Sequence, residues 1–105
     1  MIESDPIFRA LGDPTRRAVY ERLSAGEMNV ANLKAGLAIS QPAVSQHLAA
    51  LKLAGLVRER REGRRTFYRI EPAGLHPLID WLGRTGAFWP ERIDRLKDLL
   101  KRMDQ

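Results

Sequence analysis

Cysteine is absent from this chain of 105 residues, and histidine occurs only as His47 and His76. Disulfides, thiolate catalysis, thiol-based redox sensing and cysteine-ligated zinc or iron–sulfur sites are therefore excluded. The two histidines are predicted to lie on different helices, which leaves too few ligands for a metal site. We predict no metal and no cofactor, and the lack of cysteine fits a reducing compartment.

Long apolar runs are absent too. None approaches the roughly 20 residues needed to cross a bilayer, and the residues after Met1 are acidic and polar, unlike the apolar segment of a secretory signal. We expect a cytoplasmic protein without a membrane partner. The length predicts a single domain, residues 1–105, whose small core oligomerisation would supplement.

Basic side chains outnumber acidic ones, 18 to 13, which gives a formal net charge of +5. The excess is concentrated in residues 41–71, where seven basic and three acidic side chains give +4. Residues 1–40 carry five of each and are neutral, and residues 72–105 carry six and five, which gives +1. A basic domain favours an anionic partner, with nucleic acid first and an anionic membrane second.

Helix boundaries are marked in the first quarter of the chain. A short helix is predicted after Pro6, ending at Gly12. The pair Asp13–Pro14 then supplies a capping residue followed by proline at the first helical position. The second helix is predicted to stop at Gly26.

Two further capping residues mark a pair of helices. Asn29 is predicted to cap a helix over 30–35, and Ser40 to cap a longer helix over 41–54. Unequal helices joined by a short turn, the second apolar on one side, predict a helix-turn-helix over about residues 30–54.

The hydrophobic period then changes from helical to alternating. Residues 56–60 and 66–70 form two short β-type runs, and Gly63 lies in the turn between them. We predict a two-stranded β-hairpin over about residues 56–70, called the wing below. Four arginines are expected to cluster at its tip: Arg60, Arg61, Arg64 and Arg65.

Apolar side chains are in excess at the two ends of the chain. Residues 5–12 and 74–103 are predicted to be helical, with Pro90 breaking or kinking the second stretch. Together they carry more apolar bulk than one small domain buries, which predicts a dimer surface. The alternative is that they complete the core of one protomer. The candidate interface residues are Ile7, Phe8, Leu11, Trp81, Leu82, Phe88, Trp89, Ile93 and Leu96.

The order of elements defines the predicted fold class. Helices, a helix-turn-helix, a hairpin and further helices make an α+β, mostly helical winged helix-turn-helix, with flanking terminal helices forming a dimer surface. Three stretches carry a resemblance to a known family: FRALGDPTRRAVYERL at 8–23, SQPAVSQHLAALKLAGLV at 40–57 and RREGRRTFYRI at 60–70. The chain resembles the ArsR (arsenical-resistance repressor) family of dimeric bacterial winged-helix repressors, and its tail WLGRTGAFWPERIDRL at 81–96 resembles a branch without metal ligands.

The helix over 41–54 is the predicted reading element. Val44, Leu48 and Leu51 lie within about 60° of arc and are expected to pack inward. The opposite face carries small residues that let the backbone approach base pairs. On it, Ser45 and Gln46 carry donors and acceptors suited to base edges, and glutamine suits adenine.

Other residues of this helix have more open roles. The resemblance implies that Gln41, Ala43 and His47 join Ser45 and Gln46 in facing the groove. Ser40 caps the helix, and its hydroxyl is also placed to meet a phosphate at the helix N-terminus. Lys52 lies at the margin of the reading face. His47 either bonds a phosphate or base edge, or is a half-buried histidine bonded within the fold.

The four wing arginines are predicted to contact phosphates or enter the minor groove. The alternative is a hairpin whose charges serve solubility. Arg69 and Arg58 are expected to pair with Glu71 and Glu59 across the strands, a contact of small energetic value.

The resemblance also implies how the family senses signals, because members release DNA when metal binds cysteine pairs or Asp, His and Glu clusters. This chain has no cysteine near residues 29–34, and Asp80 is followed by Trp81–Leu82 rather than by histidine. We therefore predict no metal sensor. An inducing organic ligand, a partner protein and the absence of any inducer remain open.

Four classes of function compete for this sequence. The resemblance implies a homodimeric repressor that binds a palindromic operator in double-stranded DNA. A non-specific architectural nucleic-acid-binding protein or an RNA-binding protein is the main alternative. The reading face favours DNA over RNA, because the major groove of A-form RNA does not admit an α-helix. A protein-interaction module fits poorly with the concentrated positive charge. An enzyme is not expected, because no nucleophile–base set and no phosphate-binding glycine loop is present.

Overall fold

A computed structural model describes residues 5–85 and 90–103, with the backbone alone for 90–93. The helices are α1 (Asp5–Gly12), α2 (Pro14–Arg22), α3 (Val30–Ala35), α4 (Gln41–Leu53), α5 (His76–Thr85) and α6 (Pro90–Met103), the strands are β1 (Met28–Asn29), β2 (Val57–Glu62) and β3 (Arg65–Ile70), and 3-10 turns cover Leu23–Ala25 and Pro72–Leu75. The mostly helical fold class with a hairpin wing is confirmed.

All three capping residues predicted from the sequence act as caps. The side chain of Asp13 accepts a hydrogen bond from the Arg16 amide at 3.0 Å, and Asn29 and Ser40 do the same at the starts of α3 and α4, at 2.8 and 3.2 Å. Each cap satisfies an amide that would otherwise lack a partner at the helix start. These local contacts fix where the helices of the helix-turn-helix begin.

The wing belongs to a sheet of three antiparallel strands, in the order β1-β3-β2. Glu62 pairs with Arg65 next to the turn, where Gly63 has a φ of +62°, a left-handed conformation that glycine adopts without strain. The sequence predicted two strands only. The third, β1, is missed because two residues show no alternation and because Asn29 also reads as a helix cap.

The core lies beneath α4. The predicted inward face is confirmed, since Val44, Leu48 and Leu51 are each 0% exposed. They pack with Val19 of α2 and Leu33 of α3, also fully buried. Burial of one complete face of α4 leaves its opposite face at the surface.

Two contacts with neighbouring segments hold the helix-turn-helix in place. Arg22 of α2 donates hydrogen bonds to the carbonyl oxygens of Asn32 and Leu33 at 3.1 and 3.3 Å, which satisfies acceptors near the end of α3. At the far end of α4, Gly74 lies so close to Gly55 that a Cβ would collide with the Gly55 carbonyl oxygen. The junction between α4 and the wing is therefore closely packed backbone.

The terminal helices α1, α5 and α6 contact one another. Phe8 of α1 contacts Trp81 of α5 edge to face, with ring centroids 5.1 Å apart. Lys97 of α6 forms an ion pair with Asp80 of α5, and its hydrogen bond is the main reason that the pKa of Asp80 lies below its usual value. The helix predicted after residue 74 stops at Thr85, and Pro90 begins the next one at its first position.

Candidate nucleic-acid interface

The outer face of α4 presents most of the predicted reading residues. Gln41, Ser45 and Gln46 are exposed, whereas Ala43 and His47 are half-buried at the margins of this face. The Ser40 hydroxyl is occupied as the helix cap. The face is therefore small and polar, with two amide side chains and one hydroxyl directed to solvent.

His47 takes part in a contact within the fold. Its Nδ1 accepts a hydrogen bond from Nε of Arg16 at 3.3 Å. Of the two roles considered for His47, the contact inside the fold is the one that the structure contains. Asp13 is nearby, and its pKa is lowered chiefly by the hydrogen bond from the Arg16 amide. Arg16 is a partner that the sequence did not indicate.

The two faces of the wing differ. Val57 and Ile70 pair at the root and pack against the core, so Glu59 and Tyr68, two positions along, lie on the same inner face. The intervening residues, Arg58, Arg60, Phe67 and Arg69, lie on the outer face by strict alternation. Two arginines of the predicted tip, Arg60 and Arg61, are adjacent in β2 and therefore lie on opposite faces of the wing.

Arg60 is placed differently from the expectation. It pairs with Phe67, two positions from the residue pair next to the turn, so it does not lie at the tip. Its guanidinium donates to Glu27 at 2.6 and 3.2 Å, lies 4.7 Å from the centre of the Phe67 ring and is 3.4 Å from a carboxylate oxygen of Glu62. Hydrogen bonds from Arg60 lower the pKa of Glu27, and the same contacts raise the pKa of Arg60.

Lys52 is also engaged by a carboxylate. Its Nζ lies 3.5 Å from Glu59, and the Tyr68 hydroxyl donates to the other oxygen of Glu59 at 3.1 Å. Burial is the main cause of a raised pKa at Tyr68, and the hydrogen bond to Glu59 adds to it. Arg58 forms an ion pair with Glu71, whereas Glu59 pairs with Lys52 of α4, and no ion pair is found for Arg69 among the described residues. The wing is thus attached to α4 on its inner face.

Comparison with known proteins identifies the family. A protein-family sequence model, described as a helix-turn-helix domain, matches residues 11–60. The chain is 43% identical over 96 residues to the HTH-type transcriptional regulator Rv2034 of Mycobacterium tuberculosis, covering 91% of this chain and 87% of that protein.

Solved structures agree with this relative. The ArsR-like transcriptional regulator from Rhodococcus sp. RHA1 is 33% identical, with 92% of each chain covered and a TM-score of 0.73. The homodimeric winged helix-turn-helix DNA-binding domain Mb0332 from Mycobacterium bovis, a possible ArsR-family regulator, is 28% identical over 86% of this chain and 83% of that one, with a TM-score of 0.65. The chain belongs to the ArsR family. The proteins it is similar to are transcriptional regulators rather than enzymes.

The basic charge of this ArsR-family wing is concentrated near its turn. Among the described residues, Lys52, Arg58 and Arg60 take part in ion pairs, and none is found for the exposed Arg61, Arg64 and Arg65. The cations at or next to the turn therefore keep their charge available to a partner, whereas carboxylates engage Arg58 and Arg60. Arg69, near the root, is also exposed and has no ion pair among the described residues.

The candidate interface residues of the predicted dimer surface are only partly exposed. Ile7 is 2% exposed and packs in the core of its own protomer, so it offers no contact to a partner. Leu11, Trp81 and Leu82 are half-buried, and Phe8 and Leu96 are exposed. Phe88 and Trp89 lie outside the described residues, as does the side chain of Ile93.

Helix α6 exposes two apolar side chains besides the candidate interface residues. Leu99 and Met103 are 47% and 55% exposed, and with Leu96 they follow a helical spacing along one side of α6. Within the described part of the chain, no group of three or more His, Asp or Glu residues is placed to hold a metal ion. No helix there is long and apolar enough to cross a membrane.

Proposed function

We propose that this ArsR-family protein is a homodimeric repressor that binds a palindromic operator. Helix α4 of each protomer reads bases in the major groove, and the wings contact the flanking backbone or minor groove. The observation that carries the proposal is the outer face of α4, where Ser45 and Gln46 are exposed beside small residues while Val44, Leu48 and Leu51 are fully buried.

The chemistry of this face supports base reading. A glutamine side chain can donate to and accept from adenine at once, and serine bonds to several base edges. Alanines along the same face allow the close approach that such short side chains need. Gln41, Ala43 and His47 complete the set by resemblance to the family, with Nε2 of His47 as its remaining polar atom.

The wing supplies contacts that do not depend on sequence. Arg61, Arg64 and Arg65 are exposed near the turn and take part in no ion pair among the described residues. Arginines placed in this way neutralise phosphates or enter a narrow minor groove. Lys52 and Arg60 belong to the same basic surface but are engaged by Glu59 and Glu27.

Dimerisation is supported by exposed apolar side chains on the terminal helices and by the homodimeric relative from M. bovis. A two-fold axis places two reading helices one helical turn of DNA apart, about 34–36 Å. We propose that metal does not control this dimer, since the chain has no cysteine and Asp80 has no neighbouring histidine.

Selection from a pool of random-sequence duplexes tests the proposal. The purified protein should enrich duplexes that share a palindrome, with half-sites about 10–10.5 base pairs apart from centre to centre. Enrichment of unrelated sequences would contradict sequence reading and favour the architectural alternative. An enriched motif without two-fold symmetry would contradict the dimeric arrangement. The enriched sequence is called the selected duplex below.

A further inference from the structure

One carboxylate joins the wing to the start of the helix-turn-helix. Glu27 lies immediately before β1, which leads directly into α3. Its two oxygens each accept a hydrogen bond from Arg60, at 2.6 Å from Nη2 and 3.2 Å from Nε. This two-point contact fixes direction as well as distance, because the guanidinium is planar and its donors form a rigid fork.

Arg60 is held on further sides. Its guanidinium lies over the Phe67 ring at 4.7 Å, and Glu62 is 3.4 Å away. These contacts restrict the arginine to one arrangement on the outer face of the wing. A guanidinium bound in this way is poorly placed to neutralise a phosphate, because it would first have to leave two carboxylates and an aromatic ring.

The other attachment between β1 and the wing is short. Strand β1 pairs with β3 through Met28 and Asn29, opposite Tyr68 and Phe67. Pairing of two residues resists bending of the hairpin weakly, so a contact on the adjacent strand β2 adds a second point of attachment. Glu27 supplies that contact across the sheet, since Arg60 and Phe67 are direct cross-strand neighbours.

We propose that Glu27 is a positioning residue for DNA binding. Through Arg60 it holds the wing at a fixed angle to the helix-turn-helix, so that the arginines near the turn and the reading face of α4 meet the same duplex together. The charge of Arg60 serves this contact instead of a phosphate. The inference rests on the proposed function.

The sign of the effect distinguishes positioning from simple charge. An acidic side chain beside a DNA-binding surface repels phosphates, so its removal should tighten DNA binding by charge alone. A positioning carboxylate has the opposite effect. Its removal loosens the wing and weakens binding, although the protein becomes more positive.

The first test is the variant Glu27→Gln, with Glu21→Gln as the matched control. Glu21 is exposed on α2 and takes part in no ion pair among the described residues, so its substitution changes the net charge equally. Fluorescence anisotropy with the selected duplex, below the melting temperature of every variant, should show Glu27→Gln about two- to fivefold weaker than wild type. Glu21→Gln should bind equally or more tightly. Equal or tighter binding by Glu27→Gln would overturn the proposal.

The second test concerns Arg60 and uses the salt dependence of binding. Arg60→Gln should weaken binding at least as much as Glu27→Gln, and the double variant should be no weaker than Arg60→Gln, because both substitutions remove the same contact. The slope of log affinity against log salt should stay at the wild-type value. Arg61→Gln, on the adjacent position and the opposite face, should lower that slope by about 0.9, because one phosphate is no longer neutralised.

Two outcomes separate failure of this inference from failure of the proposed function. A wild-type protein that does not prefer the selected duplex to scrambled DNA rejects both. A wild-type protein that does prefer it, together with an Arg60→Gln slope that falls as far as that of Arg61→Gln, rejects positioning alone and returns Arg60 to the phosphate contacts.

Discussion

Helix α4 and the wing present different chemistry to solvent. The outer face of α4 carries one cation, Lys52, which Glu59 engages, and otherwise amides, a hydroxyl and small side chains. The wing carries arginine at six of its positions between 58 and 69. The helix is suited to reading base edges, because such contacts need directional hydrogen bonds and close approach. The wing is suited to binding phosphates, because those contacts need positive charge. The proposed function thus assigns specificity to α4 and attachment to the wing.

The wing itself divides in the same way. Two cations of strand β2 are bound by carboxylates, Arg58 by Glu71 and Arg60 by Glu27, whereas Arg69 of β3 is exposed and has no ion pair among the described residues. Cations near its turn take part in no ion pair within the described residues. A count of arginines alone therefore overstates the number that are free to meet phosphates under the proposed function, because Arg58 and Arg60 are already engaged by carboxylates.

The largest expected effect comes from disturbing the junction between the two elements. Gly74→Ala places a Cβ against the Gly55 carbonyl oxygen, where only backbone can yield. We expect a loss of about 3 kcal/mol in the free energy of unfolding, measured by chemical denaturation. Gly12→Ala is the matched control, because no atom lies within 4 Å of its added Cβ. A loss in Gly74→Ala no larger than in the control would contradict close packing at this junction.

The reading role of α4 is tested by Gln46→Ala. Binding to the selected duplex should weaken by about 1–3 kcal/mol, since a side chain that bonds a base edge is removed. Binding to scrambled DNA should change little, and anisotropy titrations with both duplexes measure the difference. Equal losses on the two duplexes would refute base reading by Gln46.

The attaching role of the wing is tested by Arg64→Ala combined with Arg65→Ala. Affinity should fall by a similar factor on selected and scrambled DNA, about 1–2 kcal/mol at low salt, and the salt slope should decrease by about 0.9 for each phosphate that is no longer neutralised. Arg58→Ala is the control, because Glu71 already engages this arginine. An unchanged slope in the double variant, or an equal decrease in the control, would remove phosphate binding from the turn region.

The smallest expected effect concerns the proposed dimer, in which the distance between two copies of α4 is set by the interface. Phe8 is 40% exposed, so Phe8→Ala should weaken dimerisation by about 1 kcal/mol, as seen by sedimentation across a dilution series. Reading of the palindrome should suffer more than attachment to scrambled DNA. Leu53→Ala, which removes another exposed apolar side chain at the end of α4, should leave the dimer intact. The same distribution between monomer and dimer for Phe8→Ala and wild type at every dilution would count against a dimer interface at this surface.

Local features of the fold are predictable from the sequence, and distant contacts are not. Asp13, Asn29 and Ser40 are found as caps because each acts on an amide three residues away. The hairpin turn is found because glycine marks it. The hydrogen bonds between Glu27 and Arg60 join residues 33 positions apart. They depend on how the two-residue strand β1 pairs with the sheet, and the periodicity of the sequence does not reveal that pairing.

The site shows the same limit. The inward face of α4 follows from helical spacing, so its outer face is predictable as well. The contact between Arg16 and His47 joins residues 31 positions apart and occupies one nitrogen of a histidine whose role spacing leaves undecided. The prediction that Ile7 lies on the dimer surface is wrong, because apolar bulk at a chain end does not reveal which side of a short helix the core covers.

The central claim is that this protein prefers one DNA sequence through α4 while the wing adds binding that is blind to sequence. Anisotropy titration of the purified protein against the selected and scrambled duplexes, at two salt concentrations, tests it most directly. The account predicts a preference of about 1,000-fold, two protomers per site and an affinity for both duplexes that falls with salt. Weak and equal binding to the two duplexes would contradict it.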